Sequence, residues 1–414
     1  MTGWLQPPPS TAHSDAERFD ALILDASLRQ SLVSVRSLGK RGLCVAALDA
    51  VDGLPAFSSR WCRKAFICPA GESAGYAAHL KALLDRTPVG VLVPSSDRTI
   101  AFLREHRDVL ERRVRIAMSS EAALAVAISK QQTLAIATRL GIRVPPTVPV
   151  ATVGEVPFAL KTIGLPAVVK PSESWVRGHG QGTRVVCAVV TTPDEALQAI
   201  AVLTRLGGTP LVQPLLSGRR EAVSLLYANG RIHARFAQWA KRTAPPLGGE
   251  SVLRQSIAIP PDIGEQAERL VCEIGLEGYS EVEFRRDEAG TPYLMEINPR
   301  LSASVEVAVR SGVDFPYLLH QWARGGPIDV IDTYRVGGWM RHLRGDIMTT
   351  LAAVRHRGRP EVSSPLAAVV GFGMSFFQVM SYDYLDWSDP VPAAKAIAAF
   401  VREAANVALT RALQ

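Results

Sequence analysis

No stretch of eighteen apolar residues occurs in this 414-residue chain, so no membrane-spanning helix is expected. No run of five like charges occurs either. The net charge of +7 is scattered, and without a basic stripe or patch a nucleic-acid surface is not expected. Cysteine is scarce and odd in number: Cys44, Cys62, Cys68, Cys187 and Cys272, with no C-x-x-C pair. That argues against a disulfide framework or a zinc site. Cys44, Cys187 and Cys272 lie in apolar runs and read as small core residues, and a reducing, cytoplasmic setting is expected. The N-terminus, MTGWLQPPPSTAHSDAERFD, lacks the basic start and apolar run of a secretory signal, so residues 1–17 read as a flexible tail. The first strand-to-helix turn, DASLRQS (25–31), has no glycine, which excludes a dinucleotide site there. No convincing Ser–His or Cys–His motif supplies a covalent nucleophile.

What is present is a chain with 47% hydrophobic and 21% charged residues, enough for two or three domains. Residues 18–120 alternate strand and helix. ALILDA (21–26), Cys44–Asp49 and VGVLVP (89–94) read as buried parallel strands. The stretches 27–39 and 75–86 read as helices, and Ser96 as the cap of another. An open parallel sheet covered by helices follows. Residues 121–330 read as α+β. A helix runs from Ser129-Lys130 to Leu140, and LPAVVKP (165–171) is a strand. A helix capped by Thr192 ends at Gly207-Gly208, and PLVQPLL (210–216) is a strand. EAVSLLYANGRIHARFAQ (221–238) is a hairpin turning at Asn229-Gly230. YSEVEF (279–284) and YLMEIN (293–298) are two strands joined by RRDEAGTP. In the C-terminal region, 331–414, a helix is expected over 392–413, after an aromatic and acidic loop at 381–392.

The strongest chemical signal lies in the last two strands. Glu296 and Asn298 are two apart and share a strand face. Antiparallel pairing across RRDEAGTP brings Glu283 to the same face. Two carboxylates and an amide oxygen make a hard, all-oxygen site suited to Mg²⁺, with phosphates completing its shell. Arg300 follows at the strand end, where its planar fork suits a carboxylate or phosphate, a surface salt bridge being the stronger alternative for this residue taken alone. Lys170 ends a buried strand and needs an anion or solvent; Lys130 begins a helix. Gly178, Gly180 and Gly182, in PSESWVRGHGQGTRVV (171–186), allow a backbone to approach phosphates and a loop to act as a lid. VQPLLSG (212–218) can present Gln213 and Leu216 to an adenine edge, with a buried core strand as the equal alternative.

The order of these parts resembles the ATP-grasp superfamily, in particular the branch near the carbamoyl phosphate synthetase large subunit and its carboxylate–amine ligase-like relatives. EVEF (281–284), LMEINPR (294–300) and SASVEVAVRSGVD (302–314) carry the resemblance, together with SKQQTLAIATRLGIRVPPT (129–147), LPAVVKP and VQPLLSG. It implies an α/β domain at 18–120, then an ATP-grasp domain at 121–330 whose lid subdomain spans about 145–212. It implies ATP and Mg²⁺ (or Mn²⁺) as cofactors. Lys130, Lys170, Gly178, Gly180, Gly182, Gln213 and Leu216 would face the nucleotide, and Glu283, Glu296 and Asn298 the metal. Arg300 and Lys170 would act on the reacting phosphate. Ser304 matches a position near the acceptor. Arg242, Gly248 and Gly249, in AKRTAPPLGGESVLRQS (240–256), are substrate-side candidates, a plain connecting loop being the alternative. Two departures are visible: Trp175, Arg177 and His179 stand in the phosphate loop, and Gln213-Pro214 begins the hinge where an acidic residue is common. The implied reaction joins a carboxylate to an amine through an acyl phosphate, and small-molecule acids and amines are the expected partners. A homodimer, carboxylation or carbamate phosphorylation on the same scaffold, and a regulatory ATP-binding role without turnover stay open.

Overall fold

The computed structural model describes residues 17–70, 74–176, 182–246, 249–360 and 362–412. Five parallel strands, β1 (Phe19–Ile23), β2 (Val45–Asp49), β3 (Cys62–Ile67), β4 (Val89–Val93) and β5 (Arg115–Ile116), form a sheet in the order β3-β2-β1-β4-β5. The alternating strand-and-helix reading is borne out, and β3 is an addition: with four of its six residues exposed and two positions charged, it carries no apolar run. Ser96 caps the helix Asp97–Glu105 by accepting from the Thr99 N–H at 3.0 Å.

Four short strands build a second, antiparallel sheet: β6 (Val148–Pro149), β7 (Ala167–Pro171), β10 (Ala188–Val190) and β11 (Pro210–Pro214), ordered β10-β7-β11-β6. Between β7 and β10 lies the antiparallel pair β8 (Trp175–Val176) and β9 (Thr183–Arg184). This layer has its own apolar core of Val150, Val156, Val169, Ile200, Leu203 and Val212. Alternation along β7 sends Ala167 and Val169 into that core and leaves Val168 and Lys170 for the opposite side.

The third sheet holds seven strands: β12 (Arg220–Ala228), β13 (Arg231–Ala244), β14 (Glu250–Ile257), β15 (Gly278–Arg286), β16 (Pro292–Asn298), β17 (Trp339–Arg341) and β18 (Ser381–Tyr382). The expected hairpin is β12–β13; Asn229 (φ 51°) and Gly230 (φ 76°) both take the left-handed conformation its two-residue turn requires. One face of β15 and β16 buries Val282, Phe284, Leu294 and Ile297 against the helix Pro261–Ile274. Cys272, read as a core residue, is exposed on that helix. No described helix is long and apolar enough to cross a membrane.

The C-terminal region is not a separate layer. β17 and β18 extend the third sheet, and the helix Val391–Ala412 closes the chain. The acidic loop before it grips the first domain. Asp383 accepts from Arg29 and Arg254, each at 2.6 Å, and Asp389 accepts from Arg36 at 2.9 Å and Ser59 at 2.7 Å. His342 packs into the Arg29–Asp383–Arg254 network. Burial, with Arg29 adding to it, pushes its imidazole down to about 4 from the ordinary 6.5. The folded chain therefore resists a proton that the unfolded chain accepts, and stability falls as pH drops from about 6.5 to about 4. Urea unfolding across that window should show this slope in the wild type and a shallower one in His342→Gln; identical slopes would contradict the burial argument.

Candidate active site

Register decides where the carboxylates go. In β15–β16, Glu283 stands opposite Glu296 and Glu281 opposite Asn298. A bulge at Met295, between the Glu283–Glu296 and Phe284–Leu294 pairs, adds one residue to β16 without breaking the alternation of 296 and 298. Glu281, Glu283, Glu296 and Asn298 thus share one face. The Asn298 carboxamide donates to Glu283 at 3.0 Å. Arg220, from the start of β12, donates to the other Glu283 oxygen at 3.0 and 2.6 Å.

Two lysines reach this face from other elements. Lys130, 6% exposed, pairs with Glu296 at 3.1 Å and donates to the Ser174 hydroxyl at 3.1 Å. Burial works against its charge, and Glu296 more than restores it, so its ammonium stays above the ordinary range. Burial likewise opposes the charge on Glu296, but Lys130 and then Lys170 hold its carboxyl below the usual range. Lys170 differs: 9% exposed, it has the Met295 thioether at 3.7 Å as its hydrogen-bonding contact, and burial pushes it down. A buried ammonium facing a sulfur is poorly compensated and suits an arriving anion.

Two adjoining cavities meet at these residues. The smaller, about 90 Å³, lies between β7 and the third sheet, lined by Val168, Lys170, Gln213, Leu216, Met295 and Glu296. The Gln213 side chain is buried and donates to Thr147 at 2.8 Å, so its own amide is engaged within the layer of the second sheet. The larger, about 510 Å³, runs from Glu283 and Glu296 past Arg300 and Ser304 to the C-terminal ends of β1 and β4 in the first domain. Arg300 is held there by Asp97, which accepts from it at 2.6 and 2.8 Å; burial opposes this guanidinium's charge, and Asp97 raises its pKa above even the ordinary arginine value.

The donor set fits a hexacoordinate hard ion. Among the described residues, no three His, Cys, Asp or Glu side chains gather into a cage of their own. Two carboxylates and one amide would leave half of an octahedral shell to phosphate and water, the usual arrangement for Mg²⁺ at a nucleotide.

Of the remaining candidates, Gly249 lines the larger cavity, and its carbonyl accepts from Arg220. A Cβ there would stand 1.8 Å from the Ala244 carbonyl oxygen. Gly182 packs under Trp175, whose indole nitrogen would lie 2.5 Å from any Cβ. Gly178, Gly180 and Gly248 lie outside the described residues. Arg242 requires correction. It does not line either cavity but forms a two-point pair with Asp346 at 2.6 and 2.7 Å, which Arg341 also joins at 2.6 Å. Asp346 is fully buried, so Asp346→Ala leaves two guanidinium groups without their anion. We expect it to cost roughly 3–5 kcal/mol in urea unfolding; a loss under about 1 kcal/mol would contradict the pairing as a stabilising feature.

Sequence reasoning missed Glu281, Arg220 and Asp97. The E-x-E spacing of EVEF puts the first on the face of Glu283 without marking it as functional; nothing local marks the other two.

Residues 209–338 match the family described as ATP-grasp in the biosynthetic pathway with Ter operon. A D-alanine–D-alanine ligase of Geobacter sulfurreducens is 30% identical over 178 residues, 38% of this chain and 52% of that protein. The chain thus spans about half the length of this curated relative. Among solved structures, biotin carboxylase from Campylobacter jejuni superposes with a TM-score of 0.62 at 16% identity, covering 78% of this chain and 74% of that one. N5-carboxyaminoimidazole synthetase from Staphylococcus aureus gives 0.60 at 14%, covering 83% and 88%. L-amino acid ligase from Bacillus licheniformis gives 0.57 at 18%, covering 76% of each. The chain shares the ATP-grasp fold of these structures, and residues 209–338 of it match an ATP-grasp family.

Proposed function

We propose that the chain is an ATP- and Mg²⁺-dependent ligase that joins a small-molecule carboxylate to an amine through an acyl phosphate. The observation carrying this reading is the convergence of Glu283, Glu296 and Asn298 with the buried Lys130 and Lys170 where the two cavities meet. The smaller cavity would present apolar Val168, Leu216 and Met295 to a purine. Lys170, with no carboxylate in ion-pair contact among the described residues, would bind a phosphate oxygen, and Lys130 would turn from Glu296 to another. Mg²⁺ held by Glu283, Glu296 and Asn298 would spread the negative charge of the phosphoryl group in transit. Arg300, fixed by Asp97, is oriented to hold the acid or the transferring group. The carboxylate oxygen attacks the terminal phosphorus and ADP leaves. The amine nitrogen then attacks the acyl carbon, and phosphate departs as the nitrogen loses its proton. The D-alanine–D-alanine ligase and L-amino acid ligase likenesses support an amide product.

The carboxylase likenesses favour a second reading, in which bicarbonate is the acid activated. Screening acids, bicarbonate included, with and without amines for ADP release separates the two. Acid- and amine-dependent ADP release supports the ligase; release with bicarbonate alone supports the second reading. Nucleotide binding with no ADP from any pair would sink both.

A further inference from the structure

We propose that Glu281, together with the carboxamide oxygen of Gln238, is the docking point for the ammonium group of the amine co-substrate. The inference rests on the ligase reading and names the chemistry of its second substrate. Glu281 is 4% exposed, lies on the same face as Glu283 and lines the larger cavity beside Arg300, Ser302 and Ser304.

Charge pairing singles it out. Every other carboxylate lining that cavity touches a cation: Asp25 with Arg98 at 3.3 Å, Asp97 with Arg300 at 2.6 Å, Glu250 with Arg29 at 2.9 Å, Glu283 with Arg220 at 2.6 Å and Glu296 with Lys130 at 3.1 Å. Glu281 is held by neutral groups, the Gln238 amide at 2.9 Å and the Ser304 hydroxyl at 3.4 Å. The cations near it, Arg220 and Arg300, are engaged by Glu283 and Asp97.

The second observation is independent. Gln238 is 5% exposed and divides its NH₂ between Glu281 and Ser304 (2.6 Å), while its buried carbonyl oxygen has no hydrogen-bond partner among the described residues. A buried acceptor left unsatisfied is destabilising. Among the described residues this corner therefore holds a carboxylate paired with no cation beside a carbonyl that meets no donor, and a primary ammonium brings three donors and a positive charge. An anionic acceptor would be repelled from the same place.

The test is equilibrium binding in the presence of MgAMPPNP, read as ligand-induced thermal stabilisation. The probes are the common amino acids and simple primary amines, each beside its N-acetylated form. The expected result is that at least one amine binds the wild type and its N-acetylated form does not. Glu281→Gln should weaken that amine at least tenfold, and Glu281→Asp, which keeps the charge, less than Gln does. Equal binding of the acetylated form, undiminished binding by Glu281→Gln, or no amine bound by the wild type would overturn the assignment. Amine binding without acid-dependent ADP release would sink the ligase reading alone. ADP release with an amine whose binding ignores Glu281 would sink this inference alone.

Discussion

Glu296→Gln is expected to lower Mg²⁺-dependent ADP formation on the order of 10³-fold while leaving the chain folded. The reasoning starts from charge. Glu296 stands opposite Glu283 in the ladder and is held ionised by Lys130 and Lys170 despite its burial. Glutamine keeps the shape and still offers Lys130 an oxygen, so the β15–β16 ladder and the Lys130 contact survive. It removes half the anionic charge that a divalent ion would find there, since Asn298 is neutral. The loss should appear in kcat and in the Mg²⁺ concentration needed for half-maximal rate, with circular dichroism unchanged. Turnover within about twofold of wild type would remove Glu296 from the metal site.

Lys170→Met is expected to weaken ATP binding about 100-fold, the weight of roughly 3 kcal/mol for a charged hydrogen bond to phosphate in a buried site. The same substitution should leave the nucleotide-free protein as stable as wild type or more so. Burial holds the Lys170 ammonium below its ordinary 10.5. Between that lowered value and 10.5 the folded chain binds fewer protons than the unfolded chain, so its stability rises with pH through that window and is diminished below it. Methionine removes the penalised charge and fills similar volume beside Met295. Calorimetry with ATP and urea unfolding without it measure the two effects. A destabilised apo variant that binds ATP normally would reverse the assignment of this lysine from ligand binding to structure.

How much of this was legible follows from range. The β12–β13 turn was readable because Asn-Gly chemistry is local. The shared face of Glu283, Glu296 and Asn298 was readable because alternation and a short turn determine it. Glu281 obeys the same alternation, but a third acid on that face has no local reason to be noticed until its lack of a cation is seen. Arg242 was misread because its partner lies 104 residues away, in a helix that reads as ordinary. Asp97 pairs with Arg300 across 203 residues, and Asp383 with Arg29 across 354. Such pairs depend on how layers stack, which no periodicity encodes. The C-terminal segment looked irregular because its strands are only three and two residues long and borrow their order from β14.

The most direct measurement is a crystal structure of the protein with AMPPNP and Mn²⁺, the ion located by its anomalous signal. The account expects the metal bonded to oxygens of Glu283 and Glu296 at about 2.2 Å, with the Lys170 ammonium on a phosphate oxygen and the base between Val168 and Met295. A nucleotide bound elsewhere, or an ion that neither carboxylate touches, would contradict it.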